Sequence, residues 1–383
     1  MLRYLLVFFT CISLISPNVH ANSTTASCEG HQCIAVVDAG STGSRLHIFS
    51  YDTDASNSPI NINEVWNKKI KPGLASIDAN KNTIDAYMTA LLADAPVKEI
   101  PLYFYATAGM RLLSAQKQQT YYQEIKAWFS AQSQWKLIQA KTITGNDEAL
   151  YDWLSVNYQL GTFNSNTDRT IGVMDMGGAS VQIVFPIKNT QQIQTNPQVE
   201  VDLYGKHYSL SVHSFLGLGQ TEMSHQFLDS ISCYSNNYPL PDGDSGHGNI
   251  QTCETEVSAL MNAVHGVNNT MQPLLADNPV NSWYVIGGLS SLASTKPIQF
   301  DNNQLTLHQL VDQADSKLCQ QPWDVLNTQY PNDEYIYQNC LSSAYYYALV
   351  VDGYGIDANQ VINFLPPEQN IDWTKGVVLH KPA

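Results

Sequence analysis

The sequence predicts an α/β protein made of two related lobes that face a shared cleft. Two observations carry that prediction. First, one strand–turn–strand design occurs twice. Ile34-Ala35-Val36-Val37 leads into Asp38-Ala39-Gly40-Ser41-Thr42-Gly43 and then Leu46-His47-Ile48-Phe49. Thr170-Ile171-Gly172-Val173-Met174 leads into Asp175-Met176-Gly177-Gly178-Ala179-Ser180 and then Val181-Gln182-Ile183-Val184-Phe185. In each copy β-branched and aromatic runs flank a small-residue turn. The two heading aspartates stand 137 positions apart, and a repeat of that kind implies a duplicated unit. Second, strand and helix signals alternate between the copies. Leu102 to Ala106 reads as a strand, and Thr107-Ala108-Gly109-Met110-Arg111 opens a helix. Thr144-Gly145-Asn146-Asp147-Glu148 precedes a helical stretch with Leu150, Trp153, Leu154 and Tyr158 on one face, and either Thr144 or Asn146 suits its N-cap.

Beyond Phe185 the pattern is less regular. Asn236 to Asn249 is a loop rich in Pro, Gly, Asp and Ser. Trp283 to Leu289 reads as a buried strand running into Gly287-Gly288, and Ser342 to Val351 as an aromatic helix ended near Gly353. The 383 residues, 44% hydrophobic and 14% charged, suffice for two medium lobes with a real core.

Arg3, the apolar stretch from Tyr4 to Ile15, and Val19-His20-Ala21 together form a secretory signal with cleavage expected after Ala21. An uncleaved anchor is the rival reading, disfavoured because the apolar run is short for a span. A lipid on Cys11 is disfavoured by the Phe9-Thr10 lead-in. Removing the leader leaves six cysteines, an even number that suits disulfides in an oxidising compartment. Sequence neighbours are the favoured pairs: Cys233 with Cys253, Cys319 with Cys340 and, more weakly, Cys28 with Cys33. A zinc site lacks the paired-cysteine and histidine spacing it needs. The expected location is secreted or periplasmic.

A net charge of −15 argues against nucleic acid or an anionic membrane as partner. It also opposes a polyphosphate substrate, unless a divalent cation supplies the local positive charge.

The two turns suit phosphate. Successive backbone N–H groups of a Gly/Ser/Thr turn point into one concavity and bind phosphate oxygens. Ser41, Thr42 and Gly43 serve in the first copy, and Gly177, Gly178 and Ala179 in the second. Mg²⁺ takes few carboxylates and keeps its waters, so Asp38 and Asp175, one per lobe, suit a hydrated ion on the phosphates. The bland alternative is that each Asp stabilises only its own turn. Phosphoryl transfer to water requires a positioned nucleophile. Glu148, at a loop-to-helix junction, is the expected general base, with Asp147 as runner-up; a first-turn carboxylate favoured by the helix dipole is the bland alternative for both. Thr107, Ser180 and Gln182 are donors for the attacking water. Arg45 and Arg111 follow small-residue turns and suit developing negative charge.

Taken in order, Asp38-Ala-Gly-Ser-Thr-Gly-Ser-Arg45, Ala106-Thr-Ala-Gly-Met-Arg111, Thr144-Gly-Asn-Asp-Glu148 with Trp153 and Asn157-Tyr158, and Asp175-Met-Gly-Gly-Ala-Ser-Val-Gln182 resemble the first four apyrase conserved regions of the nucleoside triphosphate diphosphohydrolases. Ser214-Phe-Leu-Gly-Leu-Gly219 resembles the fifth, and Cys340 to Tyr354 with Ile371-Asp-Trp-Thr-Lys-Gly376 resemble the C-terminal signatures. The resemblance covers nearly all of the mature chain. It implies a two-lobed actin/hexokinase-like (ribonuclease H-like) fold with the site between lobes. Lobe I is expected over residues 22–144 plus 366–383, and lobe II over 145–365. It further implies a Mg²⁺ or Ca²⁺ cofactor, Glu148 as catalytic base, and Asp38 and Asp175 as the metal-organising pair. Thr107, Ser180 and Gln182 fall on water- and phosphate-positioning residues.

Gly43-Ser44-Arg45 departs from membrane-bound members, which carry a His after the Thr, and is similar to the soluble branch, some members of which prefer diphosphates. The family sandwiches the base between side chains of the second lobe, which makes Tyr335, Tyr337 and Tyr346 the aromatic candidates. The expected activity is stepwise hydrolysis of nucleoside tri- and diphosphates by a monomer without stable membrane association. A diphosphate-preferring phosphatase, an exopolyphosphatase-like or sugar-kinase relative, and a non-enzymatic nucleotide sensor on the same fold are the competing expectations.

Overall fold

The computed structural model describes residues 28–164, 171–188, 198–369 and 371–380. The expected leader, residues 1–21, lies outside the described residues.

Two sheets organise the chain. The first joins β1 (Gln32–Ala39), β2 (Ser44–Thr53), β3 (Pro59–Ile70), β4 (Pro101–Ala106) and β5 (Lys136–Thr142) in the order β3-β2-β1-β4-β5. The second contains β6 (Gly172–Met176), β7 (Ser180–Pro186), β8 (Gln198–Leu203), β9 (Lys206–Leu216), β10 (Trp283–Gly287), β11 (Gln304–Leu305) and β12 (Ile362–Phe364) in the order β11-β12-β10-β6-β7-β9-β8. In the first sheet β1 pairs antiparallel with β2 and parallel with β4. In the second, β6 pairs antiparallel with β7 and parallel with β10. Stripped of the added edge strands β8 and β11, both sheets show the same five-strand plan, so the repeat in the sequence is a repeat of topology. This is the two-lobed actin/hexokinase-like α/β fold.

Helices cover the outer faces. Among them α1 (Lys81–Leu92), capped by Asn80, and α3 (Ala115–Ala131), capped by Ser114, pack on the first sheet with Val37, Leu46, Ile48 and Phe104. Between them the short α2 (Ala108–Arg111) follows β4. The next helix, α4 (Gly145–Gln159), starts at Thr144, which forms a capping box with Asp147. The periodicity predicts one buried face, yet every residue from Glu148 to Asn157 is buried. The reason is position: α4 lies between the sheets, packed with Ile34 and Val36 of the first and with Val173, Val184 and Val212 of the second. A helix sandwiched between two layers has no solvent face.

Farther along come α5 (Gln220–Gln226), α6 (Ile250–His265) and α7 (Asn339–Tyr347), the last prolonged by a π-helical turn over Ala348–Gly353. The final helix, α8 (Thr374–Leu379), returns to α4. A Cβ on Gly376 would stand 2.3 Å from the Tyr151 carbonyl oxygen, so only glycine permits that approach. Disulfides join Cys28 to Cys33, Cys233 to Cys253 and Cys319 to Cys340. Among the described residues no helix is long and apolar enough to cross a membrane.

Candidate active site

The duplicated hairpins place their chemistry in register. Asp38 stands opposite Arg45 across β1–β2, and Asp175 stands opposite Gln182 across β6–β7. Directly opposed residues share a face of the sheet, so each hairpin presents an Asp and its partner together. The two turns also meet. A Cβ on Gly178 would come within 2.6 Å of Ser41 Oγ and 3.3 Å of Thr42 Cγ2. A Cβ on Gly109 would lie 2.8 Å from Ser41 Cα, and one on Gly219 would lie 2.2 Å from the Ala179 nitrogen. Four glycine-bearing segments thus converge at backbone distance. Gly287, with φ 76°, ends β10 against Asp175, where a Cβ would stand 2.6 Å from Oδ1.

A polar network joins the segments. Arg111 Nη2 donates to Glu148 Oε2 (2.5 Å) and lies 2.9 Å from Ser180 Oγ. Gln182 Nε2 is 2.7 Å from Ser180 Oγ, 3.0 Å from Ser214 Oγ and 3.3 Å from Glu148 Oε2. The neighbouring carboxylate, Asp147, accepts from the Thr144 amide at 3.1 Å and completes the capping box. One of the two adjacent acids therefore closes the helix end, and the other turns into the network. Thr107 is buried at the start of α2, its amide donating to the Ala39 carbonyl at 3.3 Å, which puts it beside the first turn.

Electrostatics are dominated by crowded acids. Burial pushes the Asp38 carboxyl up to about 7, with the Asp372 charge adding and His47 opposing. Burial pushes Asp175 up to about 8, reinforced by Glu148, Asp38 and Asp372 and opposed by the Met176 backbone amide. Burial also raises Glu148, and the Arg111 guanidinium works against that rise. Asp38 Oδ1, Gln182 Oε1 and two guanidinium nitrogens of Arg111 are buried without a protein hydrogen-bond partner. Such a surplus of hard oxygen donors and negative charge fits a hydrated divalent cation. Among the described residues no three acidic, His or Cys side chains converge closely enough to ligate an ion directly. Holding the ion through its waters suits that spacing.

The tyrosines separate. Tyr335 is 43% exposed, next to Glu334, whose carboxylate meets Lys71 Nζ at 2.9 Å. Tyr337 is half-buried and stacks on Tyr238, ring centroids 5.9 Å apart. Tyr346 is fully buried, and its hydroxyl donates to Gln220 Oε1 at 2.7 Å. Gln220 in turn donates its amide to the Gly177 carbonyl at 3.0 Å. The ring expected to stack on a base is enclosed in the core, because α7 packs beneath the second turn; it braces that turn instead.

Several site residues escaped the sequence reading. Asp152 lies one turn beyond Glu148 on α4, a spacing visible in the sequence. Asp372 lies inside the C-terminal signature; its Oδ2 is 3.2 Å from His47 Nε2, and its Oδ1 accepts from the Thr374 amide at 2.9 Å. Ser214 and Gly219 bound the fifth motif, and no local signal gives their roles.

The fold and these paired turns define an interlobe phosphate-handling enzyme of the actin/hexokinase-like class. The family model described as GDA1/CD39 (nucleoside phosphatase) matches residues 24–243 and 243–382, and the chain belongs to that family. It is 26% identical to ectonucleoside triphosphate diphosphohydrolase 1 of Bos taurus, over 90% of this chain and 80% of the relative. It is 26% identical to an apyrase of Solanum tuberosum, over 95% and 90%. In structure it resembles a nucleoside triphosphate hydrolase of Neospora caninum (TM-score 0.60, 16% identity, 91% and 92% covered). It also resembles the Ppx/GppA family member of Aquifex aeolicus (TM-score 0.56, 14% identity, 91% and 97% covered). The chain is accordingly an enzyme of the nucleoside triphosphate diphosphohydrolase type.

Proposed function

We propose that the protein is an exported apyrase that removes the terminal phosphate from nucleoside triphosphates and then from the diphosphates, leaving monophosphates. The observation that carries this reading is the convergence of Glu148 with Ser180 and Gln182 where the two hairpin turns touch. The backbone amides of 41–43 and 177–179 hold phosphate oxygens, and Arg45 and Arg111 lie where charge develops. Thr107, Ser180 and Gln182 orient a water in line with the leaving oxygen. Glu148 accepts its proton; burial makes the carboxylate more basic, and Arg111 fixes its orientation. Asp38 and Asp175 hold the hydration shell of Mg²⁺ or Ca²⁺, which when bound neutralises charge on the phosphate chain. Tyr335, the most exposed of the three tyrosines, supplies the base contact. The lobes divide as 22–144 with 366–383 and as 145–365, supported by the packing of the C-terminal helix on β1, β2 and β3 and the tie between Asp372 and His47 of β2.

Glu148→Gln tests the reading. Nucleotide binding is retained, while phosphate release from ATP and ADP falls about 10²–10⁴-fold, the usual worth of a general base. Release at the wild-type rate would remove the assignment. A panel of ATP, ADP and inorganic polyphosphate, with and without EDTA, separates an apyrase from a polyphosphatase and from a protein that only binds nucleotide.

A further inference from the structure

One buried acid in this region is not used by the mechanism above. Asp152 is 1% exposed, and neither of its carboxylate oxygens has a protein hydrogen-bond partner. Asp38 shares this state at one oxygen, Oδ1, and the other surrounding carboxylates differ. Glu148 is paired with Arg111, and Asp372 with Thr374 and His47. Asp175 has the Met176 amide beside it.

A purely structural role fits poorly. An ionised carboxylate buried without a partner costs several kcal/mol. A neutral acid in the same place leaves both its O–H and its carbonyl unsatisfied, at roughly 1–3 kcal/mol each. The charges acting most strongly on Asp152 are Asp175, Glu148, Asp372 and Asp38, all negative. Its position explains this. One helical turn after Glu148, it stands on the helix that packs against β6 and β7, the hairpin that carries Asp175.

We propose that Asp152 is a third aspartate serving the divalent cation, placed behind Asp175 to hold ion-bound water rather than to fill the core. The proposal rests on the cation-dependent reading above. Asp152 acts through water and through Asp175, so it is a positioning residue. Partners one shell out from a metal usually tune its affinity about 10–100-fold, which is the effect expected here.

The test is calorimetric titration of the full mature chain with Mg²⁺ and, separately, Ca²⁺, in the absence of nucleotide. Asp152→Asn and Asp152→Ser are measured beside Asp38→Asn and Asp175→Asn, with melting curves in EDTA for all. Asparagine preserves volume, and serine leaves room for water, so the two variants guard against misfolding from shape alone. The expected result is roughly tenfold or greater loss of cation affinity in both Asp152 variants, with melting in EDTA unchanged or raised because a repelling carboxyl is gone. Cation affinity within twofold of wild type in either folded Asp152 variant overturns the proposal. If Asp38→Asn and Asp175→Asn weaken binding but the Asp152 variants do not, only this inference falls. If wild type shows no cation binding, or the Asp38 and Asp175 variants leave it unchanged, the underlying cation assignment falls instead.

Discussion

Crowded acids at the interlobe site make stability depend jointly on pH and on cation. The perturbation is a pH series from about 4.5 to 8.5 in EDTA, repeated with millimolar Mg²⁺. In the folded chain Asp38 titrates at about 7 against an ordinary 3.8, chiefly because it is buried and secondly because Asp372 repels its charge. A raised folded value means that the folded state holds its proton more tightly than the unfolded chain. The stabilising contribution is complete below about pH 4 and is lost as pH rises through about 7. A rise from 3.8 to about 7 corresponds to ~4 kcal/mol as a ceiling for this one group. Asp175 pulls the same way, up to about 8, though the shared acids make the two contributions non-additive. At a few degrees per kcal/mol, the melting temperature in EDTA drops by roughly 5–10 °C across the series. Mg²⁺ favours the ionised carboxylates, so its stabilising effect grows with pH and flattens the drop. His47, whose burial opposes protonation but whose Asp372 and Glu64 neighbours raise it on balance, pulls the same way. The net charge of −15 adds a general repulsion that NaCl of equal ionic strength screens about as well as a magnesium salt does. Differential scanning fluorimetry with a matched NaCl arm isolates the specific effect, and Asp38→Asn flattens the EDTA profile. Parallel curves in EDTA and Mg²⁺, or a melting temperature that rises with pH in EDTA, refute the reasoning.

Other consequences are equally direct. Arg111 holds Glu148 below the value that burial alone would set, so Arg111→Ala moves the acidic limb of the kcat/KM profile to higher pH and lowers the rate. Gly178→Ala pushes its Cβ against Ser41 and separates the two turns; melting changes little, while kcat/KM falls by as much as about 10²-fold through misplacement. Tyr335→Ala raises KM for nucleotides with little change in kcat, whereas Tyr346→Phe removes a hydroxyl bound to Gln220 and changes kcat with little change in KM. Replacing both Cys319 and Cys340 by Ser frees a 21-residue separation and costs ~3 kcal/mol by denaturant titration.

Much of this protein could be read along the chain because its key units are local. A hairpin turn fixes which residues oppose each other, and so Asp38 and Asp175 each gain a partner seven positions on. The capping box at Thr144 and Asp147 is equally short-ranged. The sequence by itself therefore determined the duplicated sheet plan, the paired glycine-rich turns and the disulfide neighbours. The sequence already favours Glu148 over Asp147, and the tertiary structure supplied the reason: Asp147 closes the capping box and leaves Glu148 to meet Arg111 from another segment. It alone buried α4 on all sides, since layer order is not encoded in one helix's periodicity. It also moved Tyr346 from an expected base contact to a brace under the second turn, and gathered Asp152 and Asp372 around Asp175. Such long-range neighbours leave no local pattern: charge repulsion and enclosure arise only when distant segments pack together.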